Sequence, residues 1–302
     1  MSELVHDRRF EPRYGEAVTV APGVRRITAA NPGPFTFHGT NTYLVGDRRL
    51  AVVDPGPDDP AHIAAILRAV GSSEVAAILV THTHSDHSPA APRLAALTGA
   101  PTFGEGPHRP ARPLREGEIV PFDDAADTAF VPDRRLVDGE VVAEDDWGLE
   151  AVATPGHCAN HLAFALAGTS LLLSGDHVMA WSTTIVAPPD GAMVDYMASL
   201  ARLAARPETR YLPAHGGPVE EGHAHVAALA GHRRKREAGI LDRIAAGDDT
   251  VAAIVAVLYR DVDPGLHAAA ALSVMAHLED LAGRGVVAVD GPLSPSARLR
   301  LA

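Results

Sequence analysis

The chain has 302 residues, of which 46% are hydrophobic and 21% charged, a composition that can bury a core and argues against disorder. Its net charge of −12 argues against non-specific nucleic-acid binding by the whole surface, and its single Cys excludes a disulfide framework or a thiolate-based metal site. No apolar run approaches the roughly 18 residues of a membrane span, and the N-terminus lacks the apolar segment of a signal peptide. We therefore expect a cytoplasmic protein. The chain also has 16 His, and imidazole is the commonest metal ligand.

The first 150 residues predict alternating strands and helices, which is the order of a layered α/β fold. A Gly-Asp pair separates the first two predicted strands, as in a hairpin. The predicted elements are strands over 42–45 and 50–54, a helix over 59–70, a strand over 75–80 and a helix over 88–97. The stretch 109–146 is charged and rich in Pro and Asp, so we predict an irregular surface insertion there.

The second half changes character after residue 220. Before that point the predicted elements are strands over 149–153, 162–166 and 170–173, a helix over 194–205 and a strand over 210–213. Beyond it they are helices over 223–245, 250–259 and 266–281, then short strands over 286–289 and 297–301. Three helices and a two-stranded tail resemble a winged-helix module, so we expect one domain over 1–220 and a second over 221–302.

A cluster of His and Asp follows the strand predicted over 75–80, in the sequence Thr81-His82-Thr83-His84-Ser85-Asp86-His87. In an extended segment, side chains two residues apart point the same way, so His82 and His84 can converge on one ion. After a turn, Asp86 and His87 can face a second ion. Three imidazoles and a carboxylate this close together favour a zinc site.

Three further candidate ligands follow later predicted strands: His157, Asp176 and His215. Each stands beside a Gly, which permits the tight turn that such a position needs. One edge of a sheet would then collect every ligand.

This arrangement resembles the metallo-β-lactamase superfamily, which carries an H-x-H-x-D-H motif followed by a His, an Asp and a last His. The resemblance covers about residues 15–220 and implies an αββα sandwich with metals at one edge. It also implies one metal held by His82, His84 and His157, and a second held by Asp86, His87 and His215. Asp176 would bridge the two.

The second motif position, His84, is usually Glu in the flavin-linked di-iron branch of that superfamily. Nitrogen-rich ligation favours zinc over iron, so we predict two Zn²⁺, with other divalent metals as alternatives, and hydrolysis rather than redox chemistry. Two metals roughly 3.5–4 Å apart would generate a bridging hydroxide near neutral pH and polarise the scissile bond. We predict that Asp86 orients this hydroxide or moves a proton, in addition to binding metal.

Residues near the cluster have predicted supporting roles. Asn41, Thr183 and Thr184 are candidates for substrate contact. Asp54 is expected to fix the motif loop through hydrogen bonds, and Cys158 is expected to be a packed neighbour.

The remaining His residues near the motif and a basic run in the second half are not predicted to bind metal. His161 and His177 are predicted to support the ligands or to be structural. The basic run over 232–236 is predicted to be a solvated helix face, with an anion-binding surface, for instance for a nucleic-acid strand, as the alternative.

Segments around Asp176, Asp195 and His215 also resemble the β-lactamase-like protein 2 branch, which extends the resemblance to nearly the whole chain. Characterised relatives in that branch include a single-strand endoribonuclease, so hydrolysis of a phosphodiester such as single-stranded RNA is the first hypothesis. Hydrolysis of a thioester, as in glyoxalase II, or of another small ester or lactam is the second. The third, from another class, is a nucleic-acid or partner-binding module with a vestigial metal site. The partners expected are thus a small-molecule or RNA substrate, no membrane, and in one alternative a second copy of the chain as a homodimer.

Overall fold

Two β-sheets face each other in the computed structural model, which describes residues 4–115, 118 and 125–302. The strands of the first sheet lie side by side in chain order, antiparallel from β1 to β4 and parallel from β4 to β7. They are β1 (Val18–Ala21), β2 (Val24–Thr28), β3 (Asn41–Val45), β4 (Arg49–Val53), β5 (Glu74–Leu79), β6 (Thr102–Gly104) and β7 (Arg134–Arg135).

The second sheet has the strand order β12-β11-β10-β9-β8, in which only β11 and β12 are parallel. Its strands are β8 (Val141–Glu144), β9 (Trp147–Ala153), β10 (Leu162–Leu166), β11 (Leu171–Gly175) and β12 (Arg210–Pro213). Val45 and Leu79 of the first sheet share one buried core with Phe164 and Leu173 of the second. Apolar side chains from both inner faces therefore hold the sheets together.

Helices cover the outer faces of both sheets. The first pair, α1 (Pro60–Val70) and α2 (Ala90–Thr98), packs on the first sheet. Asp59 begins α1 by accepting the Ala61 N–H, and Pro60 stands at the first helical position, where its missing N–H costs nothing. The second pair, α3 (Met193–Ala204) and α4 (Gly222–Ala245), packs on the second sheet. The predicted αββα layering is confirmed.

The C-terminal module comprises α5 (Val251–Leu258), a 3₁₀ turn (Pro264–Leu266), α6 (His267–Gly283) and an antiparallel pair, β13 (Val287–Asp290) and β14 (Arg298–Leu301). It has a core of its own, to which Ile240 and Ile244 in the second half of α4 contribute. Val226 and Leu229 in the first half of α4 belong to the core under the second sheet. Helix α4 thus enters both cores, and the division at residue 220 stays a prediction.

The prediction of an irregular surface insertion over 109–146 was wrong at two places in the described part of that stretch, the strands β7 and β8, whereas 109–115 and 127–133 form neither helix nor strand. Strand β7 extends the first sheet and β8 forms an edge of the second. Both are short and carry exposed side chains, so no apolar pattern marked them. Residues 116–117 and 119–124 lie outside the described residues.

Candidate metal site

Seven side chains singled out by the sequence meet at one edge of the two sheets, each just past the carboxyl end of a strand. Strand β5 is followed by the motif segment, β9 by one His, β11 by one Asp and β12 by the last His. Pairing of β4 with β5 and of β11 with β12 is parallel, which brings these strand ends to the same edge. The seven are His82, His84, Asp86, His87, His157, Asp176 and His215.

Three imidazoles form the first half of the cluster. Nδ1 of His84 lies 3.0 Å from Nε2 of His82 and 3.0 Å from Nε2 of His157. Zn–N bonds of about 2.0–2.1 Å in a tetrahedral site put ligand nitrogens roughly 3.3 Å apart. The three ring nitrogens are therefore spaced as the ligands of one ion.

A carboxylate and two imidazoles form the second half. Oδ2 of Asp86 lies 3.3 Å from Nε2 of His87 and 3.3 Å from Nε2 of His215. Neither His is exposed by more than 1%. These atoms too are spaced to hold a single ion.

Asp176 reaches both halves with different oxygens. Its Oδ1 lies 3.3 Å from Nε2 of His215 and 3.7 Å from Nε2 of His87, and its Oδ2 lies 3.7 Å from Nε2 of His157. Asp176 Oδ1 and His87 Nε2 are buried and have no hydrogen-bond partner among the described residues. Buried polar atoms left without a partner are costly, so a pair of metal ions fits this donor set.

The far nitrogen of each imidazole in the first half is hydrogen-bonded, which fixes the tautomer. His157 Nδ1 donates to the Ile185 carbonyl at 2.7 Å, and His84 Nε2 donates to the Asp190 carboxylate at 2.8 Å. Thr81 Oγ1 donates to Asp54, so it accepts from Nδ1 of His82. The nitrogens that face one another are consequently left with lone pairs, as metal ligation requires.

Hydrogen bonds also orient the candidate ligands of the second half of the cluster. His87 Nδ1 donates to Oδ2 of Asp54 at 3.0 Å, and His215 Nδ1 donates to the Gly39 carbonyl at 3.2 Å. Asp86 Oδ2 accepts the hydroxyl of the buried Thr40 at 2.8 Å. The three ligands Asp86, His87 and His215 are thus oriented by partners outside the cluster.

The pKa values differ between the two halves. Burial, together with the neighbouring imidazoles, lowers the pKa of His82 well below its usual value and that of His157 to about 4. Burial also acts to lower the pKa of His87 and His215, but the carboxylates around them outweigh it. The pKa of His87 is raised well above its usual value and that of His215 to about 10. A metal entering the second half must therefore displace protons.

The hydrogen bonds of Asp54 confirm the supporting role predicted for this residue. Its side chain accepts the Thr81 N–H at 2.7 Å, the Thr81 hydroxyl at 2.8 Å and the His87 ring N–H. Asp54 itself has φ +50°, a strained conformation for a residue with a side chain. The motif loop is held to the end of β4 by these bonds.

Asn41 lies near the metal edge, as predicted, but its amide points into the protein and not toward a substrate. It is fully buried, its Oδ1 accepts the Thr28 hydroxyl, and its Nδ2 donates to the carbonyls of Pro213 and Gly216. The amide therefore ties β3 to the loop that carries His215, and no substrate can reach it. The sequence placed it correctly near the metal edge but could not show which way its amide points.

Thr183 and Thr184 line a cavity beside His157. Thr184 is buried, with its Oγ1 3.2 Å from Nδ1 of His157, whereas Thr183 is partly exposed. Thr184 thus lies against a candidate ligand, and substrate contact by Thr183 stays a prediction.

His161 and Cys158 are buried neighbours of the cluster. His161 Nε2 accepts the Asp176 backbone N–H at 3.2 Å, and His177 packs between His161 and Tyr196. Burial raises the pKa of the Cys158 thiol well above its usual value, so the sulfur stays protonated. These positions agree with the predicted supporting and packing roles.

Three contributions to the site were missed by sequence reasoning. Asp190 and Thr40 hold ligands, and the segment after 125 borders the motif loop, since Ala125 accepts the Ser85 N–H and Asp127 donates its N–H to Thr83. No spacing signal links these residues to the motif, because each comes from a separate part of the chain.

A family model described as the metallo-β-lactamase superfamily matches residues 35–215. The chain belongs to the metallo-β-lactamase superfamily. A second model, the β-lactamase-associated winged helix domain, matches residues 250–292. The resemblance and the C-terminal winged helix predicted from the sequence are both confirmed, and the chain is a metal-dependent hydrolase of this superfamily.

Individual proteins of the superfamily show how far the likeness extends. A β-lactamase-like protein 2 homolog of Caenorhabditis elegans is 30% identical over 299 residues, 95% of this chain and 91% of that one. An atrochrysone carboxyl ACP thioesterase of Aspergillus chevalieri is 27% identical over 241 residues, 77% of this chain and 69% of that one. The crystal structure of a β-lactamase domain protein from Burkholderia ambifaria superposes with a TM-score of 0.80 at 25% identity, covering 99% and 97% of the two chains.

No helix among the described residues is long and apolar enough to cross a membrane.

Proposed function

We propose that the chain is a dinuclear zinc hydrolase whose preferred substrates are phosphodiesters such as single-stranded RNA. The observation that carries the two-metal assignment is the position of Asp176, whose two oxygens face the two halves of the cluster separately. Its single carboxylate can serve two ions only because the halves are adjacent. Complete, hydrogen-bonded donor sets in both halves support an active centre over a vestigial one.

The residues of the site have distinct tasks in hydrolysis. Two zinc ions held by the seven ligands would activate a water molecule near neutral pH and polarise the phosphoryl oxygen of the substrate. Burial acts to raise the pKa of Asp86, but the charges and hydrogen bonds of His87 and His215 outweigh it and lower that pKa well below its usual value. Asp86 therefore remains a carboxylate that can accept a hydrogen bond from the attacking water, while Thr40 fixes its orientation.

The substrate would enter a cavity of about 220 Å³ above the cluster. Phe35, Ile185 and Ala187 form apolar walls around the ligands, which limits access of bulk water to the reacting bond. A larger cavity next to it contains arginines, which favours an anionic substrate and puts phosphodiesters first. A thioester is the second candidate, favoured by these apolar walls and by the name of the Aspergillus chevalieri relative.

The test is a panel of substrates at matched concentration: a single-stranded RNA oligomer, S-acyl glutathione and a chromogenic lactam. Each is assayed with zinc-loaded protein, with chelator-treated protein and with Asp176→Ala. We expect zinc-dependent cleavage of RNA that the variant lacks. Cleavage of the thioester alone would replace the first substrate class with the second, and no zinc-dependent activity on any of the three would refute the proposal.

The cytoplasmic location and the homodimer stay predictions.

A further inference from the structure

A second cavity, of about 740 Å³, adjoins the metal-site cavity and shares Phe35 and Ile185 with it. Its walls come from the N-terminal segment, the loops over 32–37 and 181–185, helix α4 and the C-terminal module. We call it the arginine cavity, because Arg8, Arg233 and Arg236 line it. A molecule bound above the metals can therefore extend directly into this space.

The charge in the arginine cavity is unbalanced. None of its three arginines forms an ion pair within the described part of the chain, and no Asp or Glu is among its described lining residues. This occurs in a protein whose net charge is −12. Taking a cation out of water without a counterion is costly, so the arrangement is that of a site for an anion.

Two of the arginines are fixed by contacts within the protein and retain N–H groups that can donate to a ligand. Arg233 is only 3% exposed and donates from Nη2 to the Thr184 carbonyl, while its Nε is buried and has no partner among the described residues. Arg236 donates from Nη1 to the Leu258 carbonyl at 3.0 Å and lies 4.0 Å above the Tyr259 ring. Its buried Nε likewise has no partner within the described ranges. Guanidinium groups fixed in this way suit the fork-like recognition of phosphate.

The positive charge of these arginines also affects the pKa values of two neighbouring imidazoles. Burial, together with the charges of Arg233 and Arg236, lowers the pKa of His232 to about 4 and that of His277 to about 3. Both rings therefore stay neutral at physiological pH and do not compete for the anion.

Two aromatic contacts in the arginine cavity are internal to the protein: Trp181 stacks on Phe37 with ring centroids 4.7 Å apart, and the Tyr259 ring lies under Arg236. Phe35, which lines the same cavity, is 42% exposed. The arginines offer N–H donors to a phosphate, and contacts to phosphate carry no information on base sequence.

We propose that the arginine cavity binds a second phosphate of the RNA substrate, adjacent to the one that is hydrolysed. This inference rests on the proposed function and narrows it: the substrate carries at least two phosphates, and the C-terminal module helps to select it. A single phosphodiester would occupy only the metal-site cavity.

The test compares Arg236→Gln and Arg8→Gln with Arg234→Gln, an exposed neighbour on the same helix that lies outside the cavity. The substrates are hexauridylate and bis(p-nitrophenyl) phosphate, assayed with zinc-loaded protein. We expect the KM for hexauridylate to rise about tenfold in the first two variants with kcat unchanged, because each loses a charge-assisted contact. Both parameters for bis(p-nitrophenyl) phosphate should be unchanged, and Arg234→Gln should behave as wild type. Arg8 is exposed, so its substitution tests the cavity even if Arg236→Gln folds poorly.

Calorimetric titration with inorganic phosphate separates this inference from the proposed function. A phosphate site of the zinc-loaded protein that Arg236→Gln removes and Arg234→Gln retains supports the cavity even if no phosphodiester is cleaved. Phosphodiester cleavage without any effect of Arg236→Gln or Arg8→Gln would overturn the inference and leave the function standing. An effect confined to hydrolysis of an acyl-coenzyme A would assign the cavity to the phosphates of a thioester arm and overturn the RNA assignment.

Discussion

Asp190 accepts a hydrogen bond from Nε2 of His84 at 2.8 Å, although 106 residues separate the two along the chain. The bond turns Nδ1 of His84 toward His82 and His157, so Asp190 acts as a positioning residue for the first half of the metal site. It lies directly after Pro188 and Pro189 in the loop before α3. The first metal position therefore depends on a segment that the metal-binding motif does not contain.

Replacing Asp190 by Ala is expected to weaken zinc binding at the first position by about 10- to 100-fold, as loss of a partner behind a ligand commonly does. Asp190→Asn keeps an oxygen that can accept the His84 N–H and should recover part of the affinity. Competition with a chromogenic chelator measures both without reference to activity. Asp261→Ala is the control, since its side chain is 90% exposed. Equal affinities for Asp190→Ala and the control would contradict the positioning role.

Asp176→Ala is expected to lose metal and activity together. The wild-type protein should hold close to two zinc ions per chain, and the variant one or fewer, because one carboxylate serves both halves. We expect kcat to fall by at least about 100-fold. Elemental analysis by mass spectrometry, combined with the RNA assay, checks both quantities. A variant that keeps two metals and full activity is incompatible with the bridging role.

Gly156→Ala should destabilise the fold far more than Gly168→Ala. Gly156 has φ +140°, and an added Cβ would stand 2.3 Å from the Tyr196 Cα, a backbone atom of α3 that cannot move aside cheaply. Gly168 has φ +73° with nothing within 4 Å of its Cβ position, so only the left-handed backbone conformation is penalised, by about 1–2 kcal/mol. We expect the free energy of unfolding to fall by more than about 3 kcal/mol for Gly156→Ala. Urea denaturation of both variants measures the two free energies of unfolding. Similar decreases in the two variants would show that α3 shifts to make room for the added Cβ and would contradict the prediction.

His277 is expected to lower the free energy of unfolding at acidic pH. Burial first, and nearby arginines second, lower its pKa from 6.5 to about 3 in the folded chain. As the pH falls below 6.5 the unfolded chain binds a proton that the folded chain does not, so the stability present above pH 6.5 is lost progressively toward pH 3. At pH 5 this loss is about 2 kcal/mol.

His277→Leu removes that linkage, and neither ring nitrogen has a hydrogen-bond partner in the part of the chain that the structure describes. The unfolding free energy of the variant minus that of the wild type should therefore rise by about 2 kcal/mol between pH 8 and pH 5. Parallel urea titrations at the two pH values measure this difference. The subtraction cancels other acid-sensitive groups, including the metal site, and a difference that does not change with pH would refute the assignment.

The sequence by itself determined the layered fold and the residues of the candidate site. Apolar periodicity placed the long helices and most of the buried strands, because burial on one face leaves a regular pattern. The seven His and Asp residues could be found because each follows a strand closely. The strands β1, β2, β6, β7 and β8 were not predicted: β2 contains two adjacent Arg, β6 has only three residues, and β1, β7 and β8 carry exposed side chains.

Only the tertiary structure decided which distant groups serve the site. Asp190 reaches His84, and Arg233 reaches the Thr184 carbonyl, through contacts that no spacing along the chain encodes. The basic run over 232–236 shows the same limit. Helical geometry separates its members onto different faces, and packing of α4 against α3 and the C-terminal module turned Arg233 and Arg236 inward and left Arg234 and Lys235 in solvent. The sequence contains the basic residues, but tertiary packing determines which of them line the arginine cavity.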